Sequence, residues 1–324
     1  MRAVMFDDYG DDTVLQLREI PAPLPGPGEV QVQVTVASLN PVDFKLRDGM
    51  LRWLRRPKLP AITGKDFAGR ISALGAGVTG FQVGQRVFGS IDPMPGHGTC
   101  AETLVIGTGL IAATPESVSD ETAACLPVAA GTALQALQTL ARLHAGQKVL
   151  ISGASGAVGA SAVQWAHANG AHITAVCSAA NTAYVRGLGA QVLVDRNAQD
   201  WSRLGSTFDV IFDAAGASTF WAQRHQLVPK GIYVNTMPNP GVAVASVLAG
   251  PLFGQRCVPF MLKVDVGLLT QLAELARQRV LQPRVARVIG LDGVALAQRD
   301  MKAGRVQGKV CVVMAPHPGT PTPT

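Results

Sequence analysis

Lys148-Val149-Leu150-Ile151-Ser152-Gly153-Ala154-Ser155-Gly156-Ala157-Val158-Gly159 is the stretch that decides the fold. The apolar run Val149-Leu150-Ile151 reads as a strand buried on both faces, as in a parallel sheet. After the glycine-rich turn, Val158, Ala162, Trp165 and Ala166 fall on one stripe of a helix that should stop near Gly170. Between such a strand and such a helix a Gly-rich turn has a physical meaning. Gly156 lets a pyrophosphate approach the backbone, Gly159 lets helix and strand pack closely, and the first helical amides receive the anion. Ala154 stands where the first glycine of G-x-G-x-x-G is usual.

Working outward, residues 173–177, 192–194, 208–213 and 232–235 read as further strands, with a short helix at 182–188. Repeated β-α-β units predict a doubly wound parallel sheet. Upstream, residues 121–140 are rich in Ala and Leu with a break around 127–131, which predicts two helices. Before them the character changes. Val30, Val32, Val34 and Val36 alternate with Gln31, Gln33 and Thr35, the period of a strand with one buried face. Short apolar runs at 69–74, 86–88 and 101–106 extend this into an antiparallel β-rich lobe, with no helix expected inside it. Downstream, residues 268–280 carry helical spacing, and strand candidates follow at 284–289 and 309–314, the last expected to return to the first lobe.

A chain of 324 residues is long for a single core, which points to two domains of about 150 residues each. Hydrophobic residues make up 48% and charged residues 15%, excluding a disordered or fibrous protein. The 35 glycines and 21 prolines are scattered as turn punctuation, without a G-X-Y period. The net charge of +6 is spread along the chain apart from one cluster, Arg52, Arg55, Arg56 and Lys58, which reads as a solvated loop. No nucleic-acid partner is therefore expected, RNA binding through that loop being the minor alternative. Cys100, Cys125, Cys177, Cys257 and Cys311 form no C-x-x-C pair and no Cys/His cluster, which predicts a reduced compartment and no structural zinc. The first residues turn acidic too soon for a signal peptide, and the longest apolar stretch, 242–253, is too short to span a bilayer. A cytoplasmic protein without membrane insertion is expected, with a disordered low-complexity tail at 315–324.

The end of the second sheet strand decides the cofactor. An Asp or Glu there would bind the ribose hydroxyls of NAD and repel a 2′-phosphate, but this chain has Cys177-Ser178-Ala179-Ala180-Asn181. With Ser178, Asn181 and Arg196 as donors, NADPH is favoured over NADH. The alternative is that Asn181 only caps the next helix and Arg196 is solvated.

Five motifs in order then identify a family: 40–49 (Asn40-Pro41-Val42-Asp43-Phe44-Lys45-Leu46-Arg47-Asp48-Gly49), 64–69 (Gly64-Lys65-Asp66-Phe67-Ala68-Gly69), 126–133 (Leu126-Pro127-Val128-Ala129-Ala130-Gly131-Thr132-Ala133), the glycine turn, and Gly308-Lys309-Val310. Over residues 1–314 the chain resembles the zinc-independent quinone oxidoreductase branch of the medium-chain dehydrogenase/reductase superfamily, which includes zeta-crystallin and the plant enone oxidoreductases. The resemblance implies an α/β protein with a GroES-like catalytic domain at 1–125, completed by 266–314, and a Rossmann NADP(H)-binding domain at 126–265. It assigns cofactor contacts to Pro127, Thr132, Gly153, Ala154, Ser155, Gly156, Ala157, Val158, Cys177, Ser178, Asn181, Arg196, Ala214, Ala215, Gly216, Thr236 and Lys309.

The positions matching the catalytic zinc ligands of zinc-dependent relatives are Asn40, Lys65 and Val128, so no metal site is expected. The catalytic residues implied are Asn40, Asp43 and Lys45. Lys45 is expected to hydrogen-bond the cofactor or polarise the substrate carbonyl, with a solvated lysine as the alternative. Asn40 and Asp43 are expected to fix the loop and the nicotinamide ribose, although Asp43 could make only a turn hydrogen bond. The chain departs from many relatives in having Arg196 where Tyr is common and Ala180 where Lys or Arg is common. With Phe44 and Lys45 in the 40–49 segment, no tyrosine proton donor is expected there. The implied reaction is hydride transfer from NADPH to a quinone or an α,β-unsaturated carbonyl, in a homodimer. A trans-acting enoyl-thioester reductase is the enzyme alternative, and a crystallin-like nucleotide-binding protein the non-enzyme one.

Overall fold

The computed structural model describes residues 1–52, 58–91, 98–237 and 240–314. Arg55 and Arg56 of the basic cluster and the tail at 315–324 lie outside the described residues. Contacts divide the chain into two units, Met1–Val128 with Val264–Thr324, and Ala129–Lys263. Among the described residues, no helix is long and apolar enough to cross a membrane.

The first unit contains strands β1 (Arg2–Phe6), β2 (Gln16–Glu19) and β3 (Glu29–Leu39), helix α1 (Pro41–Arg47), strands β4 (Ala61–Ile62), β5 (Asp66–Leu74), β6 (Arg86–Ser90), β7 (Thr103–Gly107) and β8 (Ile111–Ala113), and helix α2 (Asp120–Cys125). Helix α3 (Pro127–Leu134) leads into the second unit, which holds β9 (Lys148–Ser152), α4 (Ala157–Ala168), β10 (His172–Cys177), α5 (Thr182–Gly187), β11 (Val192–Asp195), β12 (Phe208–Asp213), α6 (Phe220–Gln223), β13 (Leu227–Asn235), α7 (Pro240–Phe253) and β14 (Arg256–Pro259). The chain then returns to the first unit as α8 (Val266–Arg277), β15 (Val285–Ile289), α9 (Val294–Lys302) and β16 (Lys309–Val313).

The first unit is built on β3. Its four alternating valines, Val30, Val32, Val34 and Val36, are all buried, each worth roughly 1.5–3 kcal/mol of apolar burial. Val30, Val32 and Val34 pack with Phe67, Ile71, Val87 and Ile111, and with Val310 and Val312 of the returning strand, while a register shift between Val34 and Val36 brings Ala37 and Leu39 into the same core. At eleven residues β3 is long enough to serve two partners on one edge, β7 along its first half and β16 along its second, while β5 takes the other edge. The resulting order is β15-β16-β3-β5-β6-β8, beside a small sheet β2-β1-β4.

In the second unit six strands run in the order β11-β10-β9-β12-β13-β14, all parallel, the GroES-like and Rossmann combination that the sequence implied. Val149, Leu150, Ile151, Val210, Ile211 and Phe212 of its two central strands are buried, which is why they read as continuous apolar runs.

Three expectations need correction. The β-rich lobe does contain a helix, α1, in the segment read as a loop. Residues 127–131 are not a break: Pro127 opens α3, because a proline at the first helical position gives up an amide that would have had no partner. Helix α9 was not foreseen: at nine residues, with Gln298, Arg299, Asp300 and Lys302 filling its second half, its apolar residues span too few turns to show a clear helical period.

Candidate functional site

The expected site residues fall into two groups, one in each unit. Asn40, Asp43, Lys45, Pro127 and Lys309 belong to the first unit and the others to the second.

In the second unit the sheet order reverses between β9 and β12, and in such sheets the crevice for a ligand lies beyond the C-terminal ends of the strands at the reversal. There Gly153 adopts φ +63°, and a Cβ on Gly159 would stand 2.2 Å from the Gly153 carbonyl oxygen, so neither position admits a side chain without displacement. Gly156 precedes α4 in extended conformation, exposed, and a Cβ there would come no closer to the chain than 3.3 Å. That contact is tighter than an ordinary one, so a side chain at Gly156 would crowd the Gly153 carbonyl as well as cover the exposed backbone. Ala154 is buried beneath the turn, its N–H donating to Val176 O at 3.1 Å. The amides of Ala157 and Val158 lie in the first turn of α4, where no intrahelical acceptor exists and the helix dipole favours an anion.

Beside the turn, the Asn181 amide donates to Ser178 Oγ at 3.0 Å and to Ser155 Oγ at 3.3 Å. Asn181 immediately precedes α5, yet its side chain makes no capping bond, so the alternative cap role is not what it performs. Arg196 is exposed, anchored through its main-chain N–H to Cys177 O at 2.9 Å. Burial, with Asp195 nearby, pushes the Cys177 thiol up. These hydroxyl, amide and guanidinium donors next to a glycine turn suit a phosphorylated dinucleotide.

Ala214, Ala215 and Gly216 form the loop after β12, and Thr236 Oγ1 donates to Ala214 O at 3.2 Å. Buried Asp213 holds this loop and was missed by the sequence reading. Its carboxylate accepts from the Ala217 and Ser218 amides at 3.2 and 2.8 Å, from Tyr233 OH at 3.1 Å, from Asn235 Nδ2 at 3.3 Å, and from Ser152 Oγ. The available signal was an acidic residue closing an apolar strand directly before Ala-Ala-Gly. Thr132 is buried within α3.

In the first unit, Asn40 precedes α1 and its main-chain N–H donates to Asp43 Oδ2 at 2.7 Å. Its carboxamide is turned the other way. Asn40 Nδ2 donates to Asp66 Oδ2 at 2.9 Å, the Val128 N–H reaches the same oxygen at 3.2 Å, and Lys309 Nζ donates to Asn40 Oδ1 at 2.6 Å and to Leu39 O at 3.1 Å. Lys309, expected at the cofactor, thus directs its ammonium into a buried cluster with Asn40 and with Asp66, a member not foreseen. Pro127 directly precedes Val128 at the start of α3.

Burial, together with the charge of Asp66, pushes the Asp43 carboxyl up to about 7, against the Asn40 N–H and the ammonium groups of Lys309 and Lys65. Asp43 Oδ1 is buried without a hydrogen-bond partner. Burial also raises Asp66 against Lys309, Asn40, Ser90 and the Val128 amide. Lys45, half-buried on α1, is held below the usual lysine range by burial. Among the described residues, no three His, Cys, Asp or Glu side chains are grouped to hold a metal ion.

Comparison with known proteins agrees with this architecture. Residues 26–130 match the alcohol dehydrogenase GroES-like domain family and residues 188–312 the zinc-binding dehydrogenase family. The chain is 30% identical over 323 residues to a chloroplastic quinone-oxidoreductase homolog of Spinacia oleracea, covering 96% of this chain and 98% of that one. It is 33% identical to the trans-enoyl reductase pgmF of Aspergillus terreus, covering 85% and 83%. Among solved structures, the quinone oxidoreductase from Coxiella burnetii superposes with a TM-score of 0.88 at 27% identity, covering 97% of this chain and 99% of that one.

Proposed function

This chain belongs to the quinone oxidoreductase branch of the medium-chain dehydrogenase/reductase superfamily, and from that premise we propose that it is an NADPH-dependent, zinc-independent oxidoreductase acting on quinones or α,β-unsaturated carbonyls. One observation carries the reading. The side chains matched to zinc ligands offer no free lone pair: Asn40 Nδ2 donates to Asp66, Asn40 Oδ1 is taken by the Lys309 ammonium, Lys65 carries an ammonium and Val128 is aliphatic. A zinc ion needs thiolate, imidazole or carboxylate donors in that place.

Bound NADPH supplies a hydride. The amides of Ala157 and Val158 hold the pyrophosphate at the start of α4, and Ser155, Ser178 and Arg196 donate to the 2′-phosphate, with Asn181 holding the two hydroxyls in place. Asp213 fixes the loop 214–216, which holds the nicotinamide end. Lys45 donates to the substrate oxygen that gains charge, and Lys309 with Asp66 orients Asn40 at the head of α1. Reduction of this kind needs proximity and a stabilised oxyanion, which these groups provide without a metal.

The likeness to pgmF favours a second reading, in which the activated alkene is an enoyl thioester carried by a partner protein. Self-association as a homodimer is supported by the open edge of β14 and the exposed Val244, Val247 and Leu252 of the adjoining α7.

Steady-state oxidation of NADPH by a panel of quinones, enones and enoyl thioesters, before and after chelation, tests the proposal. Turnover that survives chelation is expected. Stoichiometric zinc whose removal abolishes activity overturns the metal-free reading, and tight NADPH binding with no turnover on any acceptor overturns the enzymatic one.

A further inference from the structure

Two thiols meet beside the buried polar cluster of the first unit. Cys125 ends α2, Cys311 is the third residue of β16, and their Sγ atoms stand 3.6 Å apart, both buried. Ser38, paired in register with Cys311, donates its hydroxyl to Cys125 Sγ at 3.7 Å, and Cys311 Sγ donates to Glu121 O, one turn earlier on α2, at 3.9 Å. All five cysteines are free, and no other two thiols are in hydrogen-bond contact.

The pair is joined to the cluster from both sides. Strand alternation puts Cys311 on the same face of β16 as Lys309, and Asn40, still extended, follows Ser38 by two residues just past the end of β3. Val128, whose amide holds Asp66, follows Cys125 by three residues. The two sulfurs are asymmetric: the Cys311 thiol and the nearby Lys309 ammonium hold the Cys125 thiol below its ordinary range, whereas the Cys311 thiol is pushed up by its bond to Cys125 and by burial. Cys125, whose sulfur accepts the Ser38 hydroxyl while Cys311 Sγ donates to a carbonyl, is therefore the sulfur that attacks as thiolate, and Cys311 the one that resolves.

We propose that Cys125 and Cys311 form a reversible oxidation site that closes to a disulfide on reaction with a peroxide. The Cys125 thiol releases its proton, the thiolate attacks one oxygen of hydrogen peroxide, the O–O bond breaks, and the leaving hydroxide takes up that proton, giving a sulfenic acid and a first water. The Cys311 thiol then attacks that sulfur, the S–O bond breaks, and a second water leaves with the thiol proton. In sum, two thiols and one hydrogen peroxide give one disulfide and two waters, two electrons passing from sulfur to oxygen. The sulfurs must approach by about 1.6 Å to reach a bond near 2.05 Å. The new bond ties the α2–α3 junction, with its Val128 amide, to the strand carrying Lys309.

The native protein is exposed to hydrogen peroxide, unfolded, its remaining thiols blocked, and the digest read by mass spectrometry. The expected result is loss of two of the five thiols, one linked peptide pair joining Cys125 to Cys311, and recovery of all five with dithiothreitol. In C311S the linked pair should vanish and Cys125 should be trapped by dimedone as a sulfenic acid. Survival of all five thiols under peroxide that fully oxidises free cysteine, a link through Cys100, Cys177 or Cys257, or irreversible oxidation of Cys125 without a link overturns the proposal. The readout is covalent, so it stands or fails independently of the assigned reductase activity.

Discussion

Lys309 holds its ammonium 3.7 Å from Asp66 Oδ2, with both side chains buried and Asn40 spanning them through its two amide atoms. A buried pair of this kind adds little net stability over a well-packed apolar alternative, but removing one partner strands the other charge. Lys309→Met should therefore destabilise the protein by about 3 to 5 kcal/mol, and Asp66→Asn by a comparable amount. The double variant should cost much less than the sum, because it strands no charge. Urea unfolding of the four proteins measures the coupling, and additive losses would show that the two residues do not act as a pair.

Stability should fall as pH rises from about 4 to about 7. The Asp43 carboxyl is pushed up to about 7 in the folded chain against an ordinary value of 3.8, so between these values the unfolded chain releases a proton that the folded chain keeps. Below the lower value both states are protonated and the full stability is present; above the upper value both are ionised and the slope disappears. The shift corresponds to about 4 kcal/mol at most, and Asp66, raised in the same direction, adds to it. Asp43→Asn keeps an oxygen to accept the Asn40 N–H and removes the titration. Unfolding midpoints from pH 5 to pH 8 should be flatter in the variant than in the wild type, and parallel profiles would refute the assignment.

The sequence exposed the frame of both units because their central strands repeat a simple pattern. The alternation of Val30 to Val36 can only be a half-buried strand, and the apolar runs of β9 and β12 can only be covered on both faces. What escaped was decided by tertiary contact. Helix α1 is seven residues long, below what propensity can signal, and is held by wholly buried Arg47, which donates to Gln298 Oε1 at 2.6 Å and to Gly10 O at 3.2 Å. Asp66 opens β5 and Asp213 closes β12, and each looks in sequence like any solvated acid at a strand end. Their burial follows from the donors that distant segments bring to them. Ser155, Ser178 and Asn181, by contrast, were legible in part because a turn and its neighbouring strand end must meet in a doubly wound sheet.

Asn181→Ala should weaken NADPH binding tenfold or more while leaving NADH affinity nearly unchanged. The lost amide holds the Ser178 and Ser155 hydroxyls, which in the proposed function donate to the 2′-phosphate in charge-assisted bonds worth roughly 1.5 to 3 kcal/mol each. Fluorescence titration with both cofactors separates this from a general loss of the cradle, which would weaken both alike.

Lys45→Met tests the catalytic assignment most directly. Lys45 lies on α1, whose N-terminal end is fixed by the Asn40 N–H bond to Asp43 and by the Lys309 cluster, so its backbone position is set by buried contacts. Burial already disfavours its charge, and the same partial desolvation strengthens an interaction it makes with a developing oxyanion. One such donor is worth about 2.7 to 4 kcal/mol, or roughly two to three orders of magnitude in rate. Methionine keeps the apolar stem and removes the ammonium, so the melting temperature should stay close to that of the wild type. The expected result is a fall in kcat on an enone of about a hundredfold with KM for NADPH little changed. A rise in KM for NADPH at constant kcat would move Lys45 to the cofactor, and wild-type values for both would leave positioning alone as the source of the rate.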